Sequence, residues 1–231
     1  MPELCAGDRL TRDEFERRYD AMPHLKKAEL IEGVVYVGSP VRLVQHGLPE
    51  RILSRWLGWY QDQTPGVEVS GNTTVRLDQD NEPQPDLLAR VPEGAGGRSR
   101  AAADGHLEGP PELVVEVAAS SVSYDLHQKL HAYRRSGVLE YLVHRVDDAE
   151  VDWFLLERGT YRRQDQGADG TLRSRLFPGL WLDVAALLRQ DESALHATVR
   201  RGCATAEHAA FAARLAASGR AQVFGVRSGA A

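Results

Sequence analysis

Glu116 sits inside the run Leu113-Val114-Val115-Glu116-Val117, where a buried strand has no reason to carry a charge. Asp86 follows Pro85 at the head of another short apolar stretch. Asp125 and Lys129 stand four apart in a helical segment, so they share a face. Two carboxylates from neighbouring strands suit a hard cation such as Mg²⁺, which takes oxygen ligands and keeps several waters. Such a cation polarises a phosphoryl oxygen and lowers the pKa of a bound water. A lysine beside it orients that water or stabilises charge developing on the phosphate. The chemistry this set wants is metal-assisted phosphodiester hydrolysis.

Each residue also has a plainer reading. Asp86 after a proline is an ordinary turn residue. Asp125 and Lys129 alone make a surface ion pair of about 0.3–0.5 kcal/mol. Glu116 could point outward from a half-exposed strand, although the flanking valines make the run too apolar for simple alternation. A carboxylate in an apolar strand is costly unless paired or metal-bound. Order and spacing together say more than any one position.

The elements that must position these groups read as an α/β chain. Thr11 to Tyr19 patterns as a first helix with Thr11 as its N-cap. "AELIEGVVYVG" reads as a strand or hairpin around Gly33. Leu48, Ile52, Leu53, Trp56, Leu57 and Tyr60 recur at helical spacing, and Pro49 places the start of the regular helix near 47 to 49. "GVEVSGNTTVRLD" reads as a strand pair interrupted by Ser-Gly-Asn. A short strand begins at or after Pro85, and residues 92–111 form one long loop. A strand over 112–118, a helix over about 123–136 closed by Gly137, and the strand "EYLVHRV" make a strand–helix–strand unit. A hairpin turns at Arg158-Gly159, and "FPGLWLDVAALLRQ" ends in a short helix. From residue 192 the chain is Ala-rich, with helices expected near 193–200 and 205–217. The expected division is a body over 1–191 and a helical or partly disordered extension over 192–231.

Of 231 residues, 42% are hydrophobic and 26% charged, which is ordinary for a soluble globular chain. No apolar run approaches the ~20 residues a membrane span needs, and the polar N-terminus has no signal-peptide core. These features lead us to expect a cytoplasmic protein without a membrane partner. Cys5 and Cys203 have no metal-binding or disulfide spacing. A net charge of -5 argues against non-specific coating of nucleic acid, yet allows a local basic rim. Only three of the 28 basic residues are lysines, Lys26, Lys27 and Lys129, so a lysine at a given place is less expected by chance.

Other motifs carry less. His127 and His131 are four apart, but Gln128 stands where a zinc protease has Glu, and no third ligand is evident. His46, at the head of the second helix, either lines the cleft or is a structural histidine. Gly94, Gly96 and Gly97 are not followed by the Lys-Ser or Lys-Thr of a phosphate loop. Ser123 reads as a helix N-cap rather than a nucleophile. Arg98, Arg100, Arg134 and Arg135 could rim a cleft, with solvated surface charge as the default.

In order, "AELIEG", "EPQPDLL", "PELVVEVAAS", "DLHQKLHAYRRSGVLEYLV" and "FPGLWLDVAAL" resemble the Uma-type family of restriction endonucleases, within the PD-(D/E)XK nuclease superfamily. The resemblance covers roughly residues 10–190. It implies a restriction-endonuclease-like core, a central mixed β-sheet flanked by helices. It also implies a Mg²⁺ site (with Mn²⁺ as a substitute) and endonuclease action on DNA. The motif aspartate falls on Asp86 and the strand glutamate on Glu116, both as metal ligands and catalytic residues. The usual lysine two residues later is absent, because position 118 is Ala, and the family's relatives with a helix-borne lysine point to Lys129. Glu29 of "AELIEG" matches an accessory acid. Two local departures, Ala-Ala-Ser in "EVAASSVSYD" and His144 in "YLVHRV", bear on substrate approach more than on the metal. A homodimer is expected from the family and the Ala-rich tail. The alternative is a non-catalytic binding or regulatory protein that keeps the nuclease fold.

Overall fold

Val, Leu and Ile dominate the short runs that become strands, and these collect into one twisted six-stranded sheet with helices against it. The computed structural model describes residues 2–38 and 42–225. The last six residues of the Ala-rich tail, 226–231, lie outside the described residues. The sheet contains β3 (Glu68–Gly71), β5 (Leu87–Arg90), β8 (Leu113–Ala118), β9 (Glu140–Arg145), β10 (Glu150–Glu157) and β11 (Thr160–Arg163). Its spatial order is β11-β10-β9-β8-β5-β3. β8 and β9 are parallel, and every other neighbouring pair is antiparallel. The one parallel pair needs a crossover, and the helical segments between β8 and β9 supply it.

Helix α1 (Arg12–Asp20) follows Thr11, whose extended backbone fits an N-cap although its side chain makes no capping bond. β1 (Ala28–Ile31) and β2 (Val34–Val37) form a separate antiparallel hairpin. Its turn places Glu32 at φ 52 and Gly33 at φ 73, and only the glycine takes that conformation without strain. The hairpin is held to the body by a bridge between Leu30 and Glu82. Five residues in a π turn, Leu43–Gly47, lead directly into α2 (Leu48–Gln63), with Pro49 in its first turn as its spacing predicts.

The expected pairing within "GVEVSGNTTVRLD" does not occur. β3 joins β5 in the main sheet, while β4 (Val75–Arg76) pairs in parallel with β7 (Leu107–Glu108). Asn72 at φ 52 turns the chain out of the first sheet, so the two halves diverge. The long loop is also more ordered than its composition suggests. It holds a 3₁₀ turn at Glu93–Ala95, β6 (Arg100–Ala101) and β7, which complete a three-stranded sheet with β4. Strands of two residues carry too little periodicity to be read from sequence.

After β8 the chain passes through α3 (Val122–Tyr124), a π turn at Asp125–Lys129, and α4 (Leu130–Ser136). Gly137 at φ 83 closes α4 as a left-handed cap. Ser123 falls inside the first turn instead of capping it, and Ser121 precedes the helix. A hairpin unseen in the sequence pairs β12 (Thr171–Arg173) with β13 (Trp181–Asp183). α5 (Val184–Leu188), α6 (Glu192–Cys203) and α7 (Ala206–Gly225) follow.

The principal core lies on one face of the sheet. Trp56 and Trp153 meet edge to face with centroids 5.9 Å apart, and the Trp56 indole N–H donates to the Trp181 carbonyl at 2.9 Å. Leu195 and Val199 of α6 and Phe211 and Leu215 of α7 belong to this same buried cluster. A smaller cluster on the opposite face gathers Val114, Ala118, Tyr133, Val138, Tyr141 and Val143.

Candidate active site

Alternation along β8 decides where its carboxylate goes. Leu113, Val115 and Val117 enter the principal core, while Val114 and Ala118 enter the cluster around Tyr133 and Tyr141. Glu116 shares the second face, because side chains two apart point the same way. It therefore meets the crossover helix that β8 itself feeds. The alternative of an outward-pointing glutamate fails, since Glu116 is only 2% exposed.

Lys129 meets it there. Its ammonium lies 2.9 Å from Glu116 Oε1, 2.9 Å from Glu29 Oε1 and 4.0 Å from Asp125 Oδ1. Lys129 and Asp125 are 3% and 2% exposed, so the surface ion pair is excluded as their explanation. The π turn spanning both residues inserts one extra residue into the helix, a distortion that often occurs at functional sites. Tyr133, one turn further on, donates its hydroxyl to Glu116 Oε1 at 2.9 Å. Ser121 donates to Asp125 Oδ2 at 2.6 Å. Tyr124 places its ring 5.4 Å from the Lys129 ammonium and meets Tyr36 in a tilted pair with centroids 4.3 Å apart.

Asp86 enters from the start of β5. Its Oδ2 accepts the Val117 N–H at 2.9 Å, and its own N–H points to Glu116 Oε2 at 3.4 Å. Its Oδ1 has only longer contacts, to His46 Nε2 at 3.4 Å and Lys27 Nζ at 3.5 Å. Glu29, from β1, accepts the Gln84 N–H at 2.7 Å. All four residues assigned from sequence, Glu29, Asp86, Glu116 and Lys129, thus converge from three strands and one helix.

The charges do not balance. Four buried carboxylates, Glu29, Asp86, Glu116 and Asp125, surround one buried ammonium. Burial, together with the Asp86, Asp125 and Glu29 charges, pushes Glu116 up to about 8 against the pull of Lys129. Burial also raises Asp125, with Lys129 and Ser121 opposing. Burial works against the Lys129 charge, but Glu116, Glu29 and Asp125 outweigh it and hold the ammonium well above its usual range. Burial would raise Asp86 too, yet the His46 hydrogen bond and the Lys27 charge bring it down to about 2.

A divalent cation would offset the mutual repulsion of these carboxylates, which together with burial raises Glu116. The two inner oxygens, Asp86 Oδ2 and Glu116 Oε1, are held at 2.9 Å by protein donors. The two others, Asp86 Oδ1 and Glu116 Oε2, have only contacts of 3.4 Å or longer. Two loosely held hard oxygens, with waters filling the remaining positions, would fit Mg²⁺ or Mn²⁺. Among the described residues no three His, Cys, Asp or Glu side chains form a ready-made metal cage. His127 and His131 instead bond the Ser123 carbonyl at 2.6 Å and the Glu32 carboxylate at 2.5 Å.

Sequence reasoning missed Tyr133, Ser121 and Lys27 as members of this cluster. Tyr133 had a signal, its i,i+4 spacing from Lys129. Lys27 had another, the scarcity of lysine. The arginines named as a rim are engaged: Arg100 with Glu108 at 2.6 Å, Arg134 with the Gly159 carbonyl at 2.9 Å, Arg135 with Glu32 at 3.4 Å, and Arg98 with the Gly137 carbonyl.

A mixed sheet that brings an aspartate and a glutamate from adjacent strands to a helix-borne lysine defines a protein of nuclease fold. The chain belongs to the Uma2 family, whose description is "Putative restriction endonuclease" and whose model matches residues 12–185. It is also similar to the solved structure of a putative nuclease belonging to DUF820 from Anabaena variabilis ATCC 29413. That likeness has a TM-score of 0.57 at 13% identity and covers 75% of this chain and 96% of that one. No curated protein matches the chain. No helix among the described residues is long and apolar enough to cross a membrane.

Proposed function

We propose that the chain is a Mg²⁺-dependent endonuclease that hydrolyses DNA phosphodiester bonds. The carrying observation is the Lys129 ammonium held 2.9 Å from both Glu116 and Glu29, beside an Asp86 whose outer oxygen is only loosely engaged. Asp86 and Glu116 would hold the cation through Asp86 Oδ1 and Glu116 Oε2. When bound, the cation supplies a water of lowered pKa and polarises the phosphoryl oxygen. The Val117 N–H and the Tyr133 hydroxyl fix the two carboxylates, so the ligand oxygens are oriented before substrate arrives. Lys129 stabilises negative charge on the phosphate from a buried position, where such a charge acts more strongly than in water. Glu29 keeps Lys129 charged and aimed, which is its accessory role.

Supercoiled and linear DNA, double- and single-stranded, incubated with Mg²⁺ should be cut by the wild-type chain. Lys129→Ala should lower the rate by about 100- to 1000-fold. Cleavage unchanged by Lys129→Ala removes the lysine from the mechanism. Absence of cleavage and of Mg²⁺ binding alike would favour a non-catalytic binding or regulatory protein. The net charge of -5 is the observation behind that second reading. A homodimer belongs to the same proposal, and sedimentation of the full chain tests it.

A further inference from the structure

His144 takes no part in the chemistry above. It stands on β9 with its Cα paired to Val117, and it is only 5% exposed. Its Nδ1 is buried without a hydrogen-bond partner among the described residues. A neutral imidazole presents one donor and one acceptor, and a buried ring nitrogen left unpaired is rare enough to need a reason.

The reason is a cavity of about 120 Å³ at the carboxyl ends of the parallel strands β8 and β9, which His144 helps to line. Pro49 and Ile52 of α2 and Leu187 and Leu188 of α5 give it apolar walls, and Gln190 stands exposed at its rim. No Asp, Glu, Lys or Arg is among the residues that line it, so it suits neither a phosphate nor a metal ion. An apolar cavity of about 150 Å³ holds one benzene ring. The space here therefore takes a single flat ring and is too small for a fused pair. The aliphatic walls cover the faces of such a ring, while His144 and Gln190 meet a polar edge.

The cavity adjoins the carboxylate cluster through the sheet. Val117, the partner of His144, donates its N–H to Asp86 at 2.9 Å. Pro49 comes three residues after His46, which lies 3.4 Å from the same aspartate. A strand of DNA seated on Asp86 brings its neighbouring nucleotides to this end of the sheet. Resting on the nuclease reading for the choice of ring, we infer that the cavity binds a pyrimidine base, with its polar edge toward His144 and Gln190 and its sugar toward the mouth. The base comes either from a free nucleoside or from a nucleotide of the DNA turned out of its stack.

Fluorine NMR on the full chain, in EDTA to prevent cleavage, tests this with 5-fluorodeoxyuridine and with single-stranded and duplex oligonucleotides carrying one such residue. The free nucleoside resonance should shift saturably, whereas that of 2-fluoroadenosine, with its fused rings, should not. His144→Leu removes the ring nitrogens, and Leu188→Trp fills the space while leaving His144 in place. Each should weaken binding by about tenfold or more in chains that still melt cooperatively. A shift in the oligonucleotides that the same variants remove assigns the base to the DNA, and a shift confined to the nucleoside assigns a free ligand. No saturable shift with any fluoropyrimidine, or one that either variant leaves unchanged, overturns the assignment. DNA cleavage by wild type without any fluorine shift keeps the nuclease reading and removes this site. A variant-sensitive shift without cleavage does the reverse.

Discussion

The two faces of β8 solve opposite problems with neighbouring residues of one strand. Leu113, Val115 and Val117 are covered by α2 and the C-terminal helices, in a core built on Trp56, Tyr60 and Trp153. Val114, Glu116 and Ala118 are covered by α3, the π turn and α4, where two carboxylates, a lysine and a tyrosine share the space with apolar neighbours. The apolar face is built mainly of aliphatic and aromatic side chains. The polar face has nearly all its groups paired but its charges unbalanced. Most of the buried apolar surface, and so most of the stability, belongs to the first face, and the ionisable cluster to the second. Burial of charge is tolerated on the second face only because each group finds a partner within one network.

Two side chains of β9 break the pattern of the apolar face: Glu140, whose carboxylate accepts the Trp153 indole N–H and the Arg175 and Leu176 N–H groups, and His144. His144, on β9 opposite Val117, is 5% exposed and lines a cavity of about 120 Å³ with Pro49, Ile52, Leu187 and Leu188. Its Nδ1 has no hydrogen-bond partner. Burial lowers its pKa to about 4. His144 is thus without a partner at Nδ1, whereas Glu140 on the same face and Glu116, Asp125 and Lys129 on the other are all hydrogen-bonded or ion-paired.

Three measurements test this division, beginning with the largest effect. Trp56→Ala should cost about 3–5 kcal/mol of stability by leaving a void under the Trp153 ring. Denaturant titration would read it, and cleavage per folded molecule should be unchanged. A selective loss of cleavage in folded Trp56→Ala would show that the two faces are not separable.

His144 should make stability depend on pH. Its folded pKa lies below the unfolded value of about 6.5, so the unfolded chain binds the extra proton first as pH falls. The contribution is complete above about 6.5 and is lost as pH falls toward about 4, by up to about 3 kcal/mol. In His144→Leu that part of the pH dependence should vanish from thermal melts taken across the same window. An identical profile in the variant would place the acid sensitivity in the carboxylate cluster instead.

Tyr133→Phe should have the smallest effect, about 1.5 kcal/mol, because it removes one buried hydrogen bond to Glu116 and leaves the ring packed against Tyr141. Its Mg²⁺ affinity should shift while that of Trp56→Ala does not. Equal affinities in both variants would mean that Tyr133 serves packing alone.

Much of the site was legible because its members carry local marks. A charge inside "LVVEV", a Pro-Asp before "LL", and a scarce lysine four residues from an aspartate are visible without coordinates. His46 and Tyr133 were harder, since a histidine near a helix start and a tyrosine in an amphipathic helix are each ordinary. The fold was legible in its longer elements and obscure in its shortest. β6 and β7 have two residues each, and β3 and β4 look alike in sequence yet enter different sheets.

By itself the sequence determined which residue types stand at which spacing, and hence that α2 would be amphipathic, that β8 would be buried on both faces and that Asp125 and Lys129 would share a helix face. Those properties follow from local periodicity, which the chain carries in its own order. Only the tertiary structure decided that Glu29 and the Gln84 N–H would arrive from a separate hairpin and its bridge, and that a π turn would aim Lys129 at Glu116. It also decided that His46 would settle on the oxygen of Asp86. Such meetings join residues 13 to 100 positions apart, and packing alone selects them.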